Sequence, residues 1–428
     1  MKINRSLNIE ILLLSAVIIF LGQIALKNDS NAILLIALIM VGFAAAILPQ
    51  DNLMPFMLCM IAPNRLLTYG SISAPIIIIL VALFKGNRYL HQPKKFFLSS
   101  MALIGYTIIT LFIGESLIFD AIKIVAVLLF FIMYTNCQDI HTSYVRYTVF
   151  CSLGCLLSAG ITLLINKNSI SEAGRFTIKG SGQNVLGILC AIMAINLLVI
   201  VLNYVNKKKL FYVFLSTILC GIGFLTGSRS FLLAIGTGIF GLVIMMMVKL
   251  DFKRLFKIGF IISLVTFGAI FAVKFSSFIN NYWDLIMYRV TKLQNVDVSN
   301  GRFDLWEQYI TIFREQPIYF WFGGLSIDDS QVQYVAHNMI IEQIASFGVI
   351  GSIFILNLYN INLYISAVLV IKKYSKCDIK IFSFTVVPLI AFLGSSMVSH
   401  TILGIPQTTM LFLCIFSLFS SKRTGGEL

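Results

Sequence analysis

Long apolar runs, separated by short polar stretches, extend along almost the whole chain. Apolar runs of about 18 residues or more are typical of transmembrane helices. The pattern predicts an all-α integral membrane protein in which residues 1–428 form a single polytopic domain. The predicted spans number fourteen and lie at 9–26, 32–48, 53–64, 72–84, 97–113, 118–134, 145–165, 184–205, 210–226, 230–248, 256–274, 349–371, 381–400 and 404–420.

Two of these spans, 53–64 and 72–84, are short, and three prolines interrupt this part of the chain: Pro55, Pro63 and Pro75. Half-helices or a re-entrant pair are therefore alternatives to full crossings here. Such backbone is tolerated at membrane depth only where other parts of the protein cover it. The predicted count is about 12–14 transmembrane helices.

One stretch, Phe275–Gly348, departs from this pattern. It holds about 70 residues without an apolar run long enough to cross a bilayer. All three tryptophans of the protein lie in it: Trp283, Trp306 and Trp321. We predict that 275–348 is a large catalytic loop outside the membrane, periplasmic or extracellular.

The middle of this loop carries the pattern of an amphipathic helix. Apolar residues recur at helical spacing in Phe303, Trp306, Ile310 and Phe313, and Pro317 ends the pattern. A helix of this kind lies in the interface, with its apolar side toward the acyl chains. We predict that it rests on the outer membrane surface.

Composition agrees with a membrane protein and limits the kinds of partner. The chain is 58% hydrophobic and 12% charged, whereas soluble domains are about 45–50% apolar and about 25% charged. The net charge of +14 does not indicate nucleic acid, because the cations are clustered between apolar spans as membrane topology requires. The eight cysteines show no CxxC spacing, so neither a metal site nor a disulfide framework is predicted.

The distribution of lysine and arginine predicts the orientation. With a cytoplasmic N-terminus, twenty of the 32 cations fall in inside segments, eleven in outside segments and one, Lys123, in a span. Cytoplasmic loops of membrane proteins carry an excess of these residues. Both termini are therefore predicted to be cytoplasmic, and the large loop to face outward.

Two arginines stand out on the outer side. Arg229 lies in a short polar turn between two apolar spans, and Arg302 lies in the first turn of the amphipathic helix. A guanidinium group offers a fixed fork of donors that suits phosphate oxygens, and free N–H groups at a helix start favour an anion. The alternative is a snorkelling or simply solvated arginine.

His337 and Asn338 open a second helical stretch in the loop, and that stretch is broken at Gly348. Glu342 follows Asn338 by four residues and so shares its helical face. A lone histidine is more often structural than catalytic. The amide and the carboxylate nearby favour a catalytic role here.

Other polar residues give weaker signals. The candidates for substrate binding are Arg175 in the preceding outer loop and three residues of the large loop, Arg289, Trp306 and Asn338. Asp120 and Lys123 are three apart within a span, and a structural salt pair is the expected arrangement.

Taken in order, these motifs resemble those of a known family. The sequence has Gly-Ser-Arg-Ser around Arg229, Ser-Asn-Gly-Arg-Phe-Asp-Leu-Trp around Arg302, His-Asn-Met-Ile-Ile-Glu from His337, and Gly-Val-Ile-Gly from Gly348. This set is similar to that of the O-antigen polymerase (Wzy) and O-antigen ligase superfamily of bacterial membrane glycosyltransferases. The resemblance covers about residues 180–355 and implies a GT-C-like fold in the inner membrane.

The resemblance also implies a mechanism and its partners. Donor and acceptor would be glycans on undecaprenyl diphosphate in the membrane lipid, and the chemistry would be metal-independent, with inversion at the anomeric carbon and no cofactor. Arg229 and Arg302 would hold the diphosphate, and His337 would orient or deprotonate the acceptor hydroxyl with support from Glu342. A chain-length regulator and a flippase would be protein partners.

Three functions remain open at this point. The compact outer loop favours a polymerase that joins repeat units into O-antigen or capsular polysaccharide. Ligases of the family, which move the glycan onto lipid A core, often carry an acidic residue near the last spans, where this chain has His400. A transporter such as a polysaccharide flippase would show two related halves and polar groups near the midplane.

Overall fold

The structure is a computed structural model that describes residues 5–85, 94–114, 118–135, 140–165, 183–203, 208–249, 301–325, 336–359, 379–398 and 404–421. The predicted span 256–274 and the candidate residues Arg175, Arg289 and His400 lie outside these described ranges.

The described chain is almost entirely helical, which confirms the predicted all-α class. The described ranges contain one small sheet, an antiparallel hairpin of two strands with two residues each, β1 (Thr68–Tyr69) and β2 (Ile72–Ser73). The helices of these ranges are α1 (Arg5–Lys27), α2 (Asn31–Ile47), α3 (Gln50–Ile61), α4 (Ala74–Phe84), α5 (Lys94–Thr110), α6 (Ile118–Thr135), α7 (Ile140–Ile165), α8 (Gln183–Asn203), α9 (Lys209–Leu225), α10 (Arg229–Lys249), α11 (Arg302–Glu315), α12 (Pro317–Phe322), α13 (Met339–Leu358), α14 (Ile379–Ser396) and α15 (Ile405–Ser421).

Four of these helices are long and apolar enough, by length and composition, to cross a membrane. They contain the segments Ile9–Lys27, Ser143–Ile165, Asn184–Asn203 and Met339–Leu358. The last of these is interrupted at Gly348, which has non-helical backbone angles. Seven more helices of the described ranges contain shorter apolar segments of 10–17 residues. The chain is therefore a membrane protein with several apolar helices.

The short predicted spans form an antiparallel pair. The tight β1–β2 hairpin joins α3 to α4, so the chain turns back at this point. The Lys85 ammonium, directly after α4, donates to the Leu48 carbonyl just before α3 at 2.7 Å. Both ends of the pair therefore lie on the same side of the bundle.

Helix α8 forms the centre of the bundle. It packs against α7, α9, α10 and α14, and 89% of the residues in its most apolar part are buried. Small residues let the neighbours approach closely. At Gly187, for example, an added Cβ atom would lie 2.9 Å from the Ser228 Cβ atom.

Polar contacts between helices show which helix ends lie at the same end of the bundle. Within α7, Arg146 donates to Asn52 Oδ1 at 2.6 Å near one end, and Thr162 accepts from Gln23 at 2.8 Å near the other. Sixteen residues of helix separate these two positions by about 24 Å. Asn203 donates to Ser383 at 2.9 Å at the end that holds Arg146. We call the opposite end of the bundle the Arg229 end.

The predicted salt pair in the first turns of α6 is confirmed. Lys123 Nζ lies 3.0 Å from Asp120 Oδ1, and both side chains are about 30% exposed. The two opposite charges of α6 are therefore paired within the helix itself.

Helices α11, α12 and the first half of α13 form an outer unit at the Arg229 end, comprising residues 301–325 and 336–347. It has its own small apolar cluster, built on Leu305, Tyr309, Ile312, Ala336 and Ala345, separate from the main core. The predicted helix bounds hold here. Helix α11 follows Gly301 and ends before Pro317, and α13 follows Asn338 and is broken at Gly348.

The apolar surface of α11 has two parts. Leu305, Tyr309 and Ile312 are buried in the outer unit, whereas Phe303 and Ile310 are 64% and 43% exposed. The predicted stripe is therefore divided: Phe303 and Ile310 face outward, whereas Trp306 and Phe313 are partly buried against the cluster of the outer unit. The outward stripe is available for the predicted membrane surface, which stays a prediction.

Candidate functional site

The turn before Arg229 is fixed to the central helix. The Ser228 hydroxyl donates to Asn184 Oδ1 at 3.1 Å, at the start of α8. The same hydroxyl accepts from the Phe231 N–H at 3.4 Å and so caps α10. Arg229 is therefore the first residue of a helix whose start is held on α8.

Arg302 occupies the same position in another helix. It is the first residue of α11, after Gly301. Its Nη1 atom donates to the Val398 carbonyl at 3.2 Å, and the Ser230 hydroxyl donates to the same carbonyl at 3.3 Å. The backbone just after α14 thus joins the first turns of α10 and α11.

The two guanidinium groups influence each other. Burial lowers the pKa of Arg302, and the positive charge of Arg229 lowers it further. Both side chains are partly buried. A negative charge placed between them would relieve their repulsion, because an opposite charge nearby favours the charged form.

The helix geometry adds to this effect. The first N–H groups of an α-helix have no partner within the helix, and they give its start a partial positive charge. Arg229 and Arg302 bring two such starts, from α10 and α11, to one place. Two forked donors and two helix starts are well suited to the oxygens of a phosphate or diphosphate.

The loop before α13 places His337 through its backbone. His337 has a φ of 53°, in the left-handed region. Its N–H donates to Glu342 Oε1 at 2.7 Å, and the indole N–H of Trp306 donates to the Ala336 carbonyl at 2.8 Å. The Asn338 side chain caps α13 by accepting from the Ile340 N–H at 3.0 Å.

These contacts refine the predicted roles. Glu342 is 3% exposed, and its carboxylate holds the His337 backbone in a conformation that residues other than glycine rarely adopt. Asn338 fixes the start of α13. Trp306, predicted to bind substrate, also holds the loop that carries His337.

Tyr309 is a site residue that sequence reasoning missed. It is 1% exposed, and burial, followed by the negative charge of Glu342, raises its pKa to about 12. Tyr309 follows Arg302 by seven residues and Trp306 by three, so it shares their helical face. That spacing was the available signal, because Arg302 and Trp306 were both candidates from the sequence.

Helix α11 connects the two halves of the site. Arg302 and Trp306 are four residues apart, which is about 6 Å along the helix axis. At one end of this face, Arg302 donates to the Val398 carbonyl, which also accepts from Ser230 beside Arg229. At the other end, Trp306 donates to the Ala336 carbonyl in the loop that carries His337. The structure thus brings six of the predicted site residues to the Arg229 end, while Arg175 and Arg289 lie outside the described ranges.

The charged residues of this site lie on one segment of the chain. Residues 211–356 match the Wzy_C family model, described as O-antigen ligase. This match confirms the resemblance that the motifs indicated. It spans about a third of the chain and contains Arg229, Arg302, His337 and Glu342.

Neither the curated proteins nor the solved structures give a match to the chain. Outside the Wzy_C segment, Val398 after α14 contacts Arg302 directly, and Asn184 on α8 contacts Ser228, the residue before Arg229. The site therefore depends on parts of the bundle that the family model does not cover.

Proposed function

We propose that the protein is a polysaccharide polymerase that joins undecaprenyl-diphosphate-linked repeat units into O-antigen or capsular polysaccharide at the outer face of the bacterial inner membrane. The observation that carries the proposal is the pair Arg229 and Arg302, each at the start of a helix. The Val398 carbonyl accepts hydrogen bonds both from Arg302 and from Ser230 beside Arg229, so the two helix starts lie close together. The Wzy_C match supports a glycosyltransferase of this superfamily.

In the proposed reaction, a hydroxyl oxygen of the acceptor glycan attacks the anomeric carbon of the donor glycan from the face opposite the diphosphate. A new glycosidic bond forms, and the bond between the anomeric carbon and the diphosphate oxygen breaks, with inversion. The two guanidinium groups offset the charge that develops on the departing undecaprenyl diphosphate. The acceptor proton passes to His337 acting as general base.

The rest of the site positions these groups. Glu342 and Trp306 hold the His337 loop, and Val398 and Asn184 hold the two helix starts. In this proposal the arginines carry the positive charge at the diphosphate, and the reaction proceeds without a metal ion. A chain-length regulator and a flippase are the proposed protein partners.

The second candidate is an O-antigen ligase, and the description of the matched family favours it. A ligase would use the same donor and the same arginine pair, but the acceptor would be lipid A core. The two activities leave different products in a cell that lacks the enzyme.

Deletion of the gene distinguishes the two candidates. Loss of a polymerase is expected to leave single lipid-linked repeat units and no ladder of longer glycans. Loss of a ligase would leave long glycans on the lipid carrier that never reach the core. Gel analysis and mass spectrometry of the lipid-linked pool separate these outcomes, and an unchanged glycan profile would contradict both.

The proposed orientation is testable with two cysteine substitutions at opposite ends of the bundle. Gln308 is exposed on α11, and Lys208 is exposed just before α9. Gln308→Cys is expected to react with a membrane-impermeant thiol reagent in whole cells whose outer membrane, if present, has been permeabilised. Lys208→Cys is expected to react only after the inner membrane is broken.

The parent protein, labelled in the same way, measures the background from the eight native cysteines. The reverse labelling pattern would show that the Arg229 end faces the cytoplasm. That result would contradict the proposal that the reaction takes place at the outer face of the inner membrane.

A further inference from the structure

Two backbone segments cross in contact where α12 ends. Helix α13 is interrupted at Gly348, which has φ 64° and ψ 177°. At this break, the Ser346 carbonyl accepts from the Gly324 N–H and the Ala345 carbonyl accepts from the Leu325 N–H, both at 3.1 Å. The end of the α12 segment thus supplies hydrogen bonds to α13 at the point where the helix is broken.

Glycine is required on both sides of the crossing. A Cβ atom on Gly323 would lie 2.5 Å from the Gly348 backbone nitrogen, and a Cβ atom on Gly348 would collide with the Trp321 carbonyl. Both glycines have positive φ values, 78° and 64°. Any side chain here would force the two segments apart.

Tyr106 on α5 contacts both segments at this crossing. Its hydroxyl oxygen lies 2.7 Å from the Phe322 carbonyl and 3.0 Å from the Phe347 carbonyl. Its ring packs against Phe354 in the second half of α13, with ring centroids 5.6 Å apart. One side chain therefore contacts the end of α12 and both halves of α13.

The crossing matters because the backbone of a broken helix does not by itself fix the angle between the two halves. Sharp kinks arise where the hydrogen-bond ladder of a helix is interrupted, so other contacts must hold the two halves of α13. The first half belongs to the outer unit and carries Glu342. The second half, which includes Ile355 and Leu358, packs in the main core.

We infer that Tyr106 is a positioning residue, and that its hydroxyl holds the first half of α13, and with it His337, against the arginine pair. This inference rests on the proposed function. Tyr106 lies on α5, outside the Wzy_C segment. It gives the N-terminal part of the bundle a specific task in the reaction.

Tyr106→Phe tests the inference, because it keeps the ring and its contact with Phe354 while removing the hydroxyl. We expect kcat of the purified enzyme in nanodiscs to fall about 10- to 100-fold, since misplacement by about 1 Å has effects of this size. The KM for the lipid-linked donor should change less than about twofold, because Val398 holds Arg302 and Asn184 holds Ser228 beside Arg229, independently of Tyr106. Tyr212→Phe, a buried position at the start of α9, is the matched control and should leave both constants unchanged.

Hydrogen exchange supplies a readout that does not depend on the glycan. In the Tyr106→Phe protein, amides of residues 324–325 and 336–347 are expected to exchange about tenfold faster. Amides of residues 209–225 in α9 should be unchanged. Acceleration confined to the first set, together with a lower kcat, is the expected result.

The remaining outcomes overturn the inference in distinct ways. Faster exchange with unchanged kcat would show that the crossing is held by Tyr106 but does not serve the reaction. Unchanged exchange would show that the Tyr106 hydroxyl does not hold the first half of α13, whatever happens to kcat. If the wild-type protein forms no polymer, the proposed function fails, and the exchange experiment still tests the crossing.

Discussion

The Arg302→Ala protein is expected to form no polymer while it remains in the membrane. The side chain supplies forked donors at the start of α11, and loss of one donor to a developing negative charge costs about 10²–10³ in kcat. Loss of a full charge near the leaving diphosphate should cost more. The measurement is the glycan ladder in cells, followed by turnover of the purified protein in nanodiscs.

Arg314→Ala is the matched control, because Arg314 lies exposed in the last turn of the same helix. It removes the same charge from α11 and should leave the ladder intact. A normal ladder from Arg302→Ala would place the site elsewhere and contradict the proposal.

Arg302→Ala should have little effect on thermal stability. Burial and the charge of Arg229 both act against the charged form of Arg302, and these costs oppose its hydrogen bond to Val398. The Arg302→Ala protein should therefore unfold near the wild-type temperature. Full loss of activity with retained stability is the signature of a residue placed for a ligand.

Arg229 allows a finer test of the same site. Arg229→Ala should behave like Arg302→Ala, and Arg229→Lys should also fail if both oxygens of a phosphate must be held, because lysine supplies a point charge without the fork. Full-length glycan from Arg229→Lys would show that charge alone is sufficient.

The second large effect is expected at His337. General-base help is typically worth about 10²–10⁴ in rate, so His337→Ala should leave single lipid-linked units and little or no ladder. The alanine variant alone is ambiguous. His337 has a φ of 53°, and the left-handed conformation costs an ordinary residue about 1–2 kcal/mol.

His337→Asn resolves this ambiguity. Asparagine tolerates the left-handed conformation, and its backbone N–H can still donate to the Glu342 carboxylate. Its side chain does not act as a base at neutral pH. The asparagine variant should lose activity about as completely as the alanine variant while keeping wild-type stability. A normal ladder from His337→Asn would remove His337 from the mechanism.

Glu342→Gln serves as the companion measurement for the His337 loop. The amide oxygen of glutamine still accepts from the His337 N–H, which donates to Glu342 at 2.7 Å. The glutamine variant should therefore cost less activity than His337→Asn. The opposite order would assign the carboxylate charge a direct role in the reaction.

Local sequence signals were sufficient to predict the helices and several of their ends. Helix α11 ends before Pro317, and α13 starts after Asn338 and breaks at Gly348, all as predicted. These features depend on the residue itself or on its near neighbours. Proline cannot donate a backbone N–H, asparagine caps the next turn, and glycine adopts a positive φ.

The side of α11 that faces the protein was not predictable in the same way. The sequence pattern singled out a stripe in which Phe303 and Ile310 are exposed and only Trp306 and Phe313 are partly buried, whereas the most buried residues are Leu305, Tyr309 and Ile312. The apolar surface of this helix is broad enough to contain both stripes. The positions of α12 and α13, which both pack against α11, decide which stripe is covered.

The sequence by itself determined a membrane-embedded helical protein with cationic and titratable residues gathered on one side, because apolar run length and charge placement are local properties of the chain. The tertiary structure alone decided that Arg229 and Arg302 meet. These residues are far apart in the chain, and they are joined through Val398 at the end of a third helix. It also decided that Tyr106 reaches the break in α13, because such a contact depends on how distant helices pack and leaves no periodic signal in either segment.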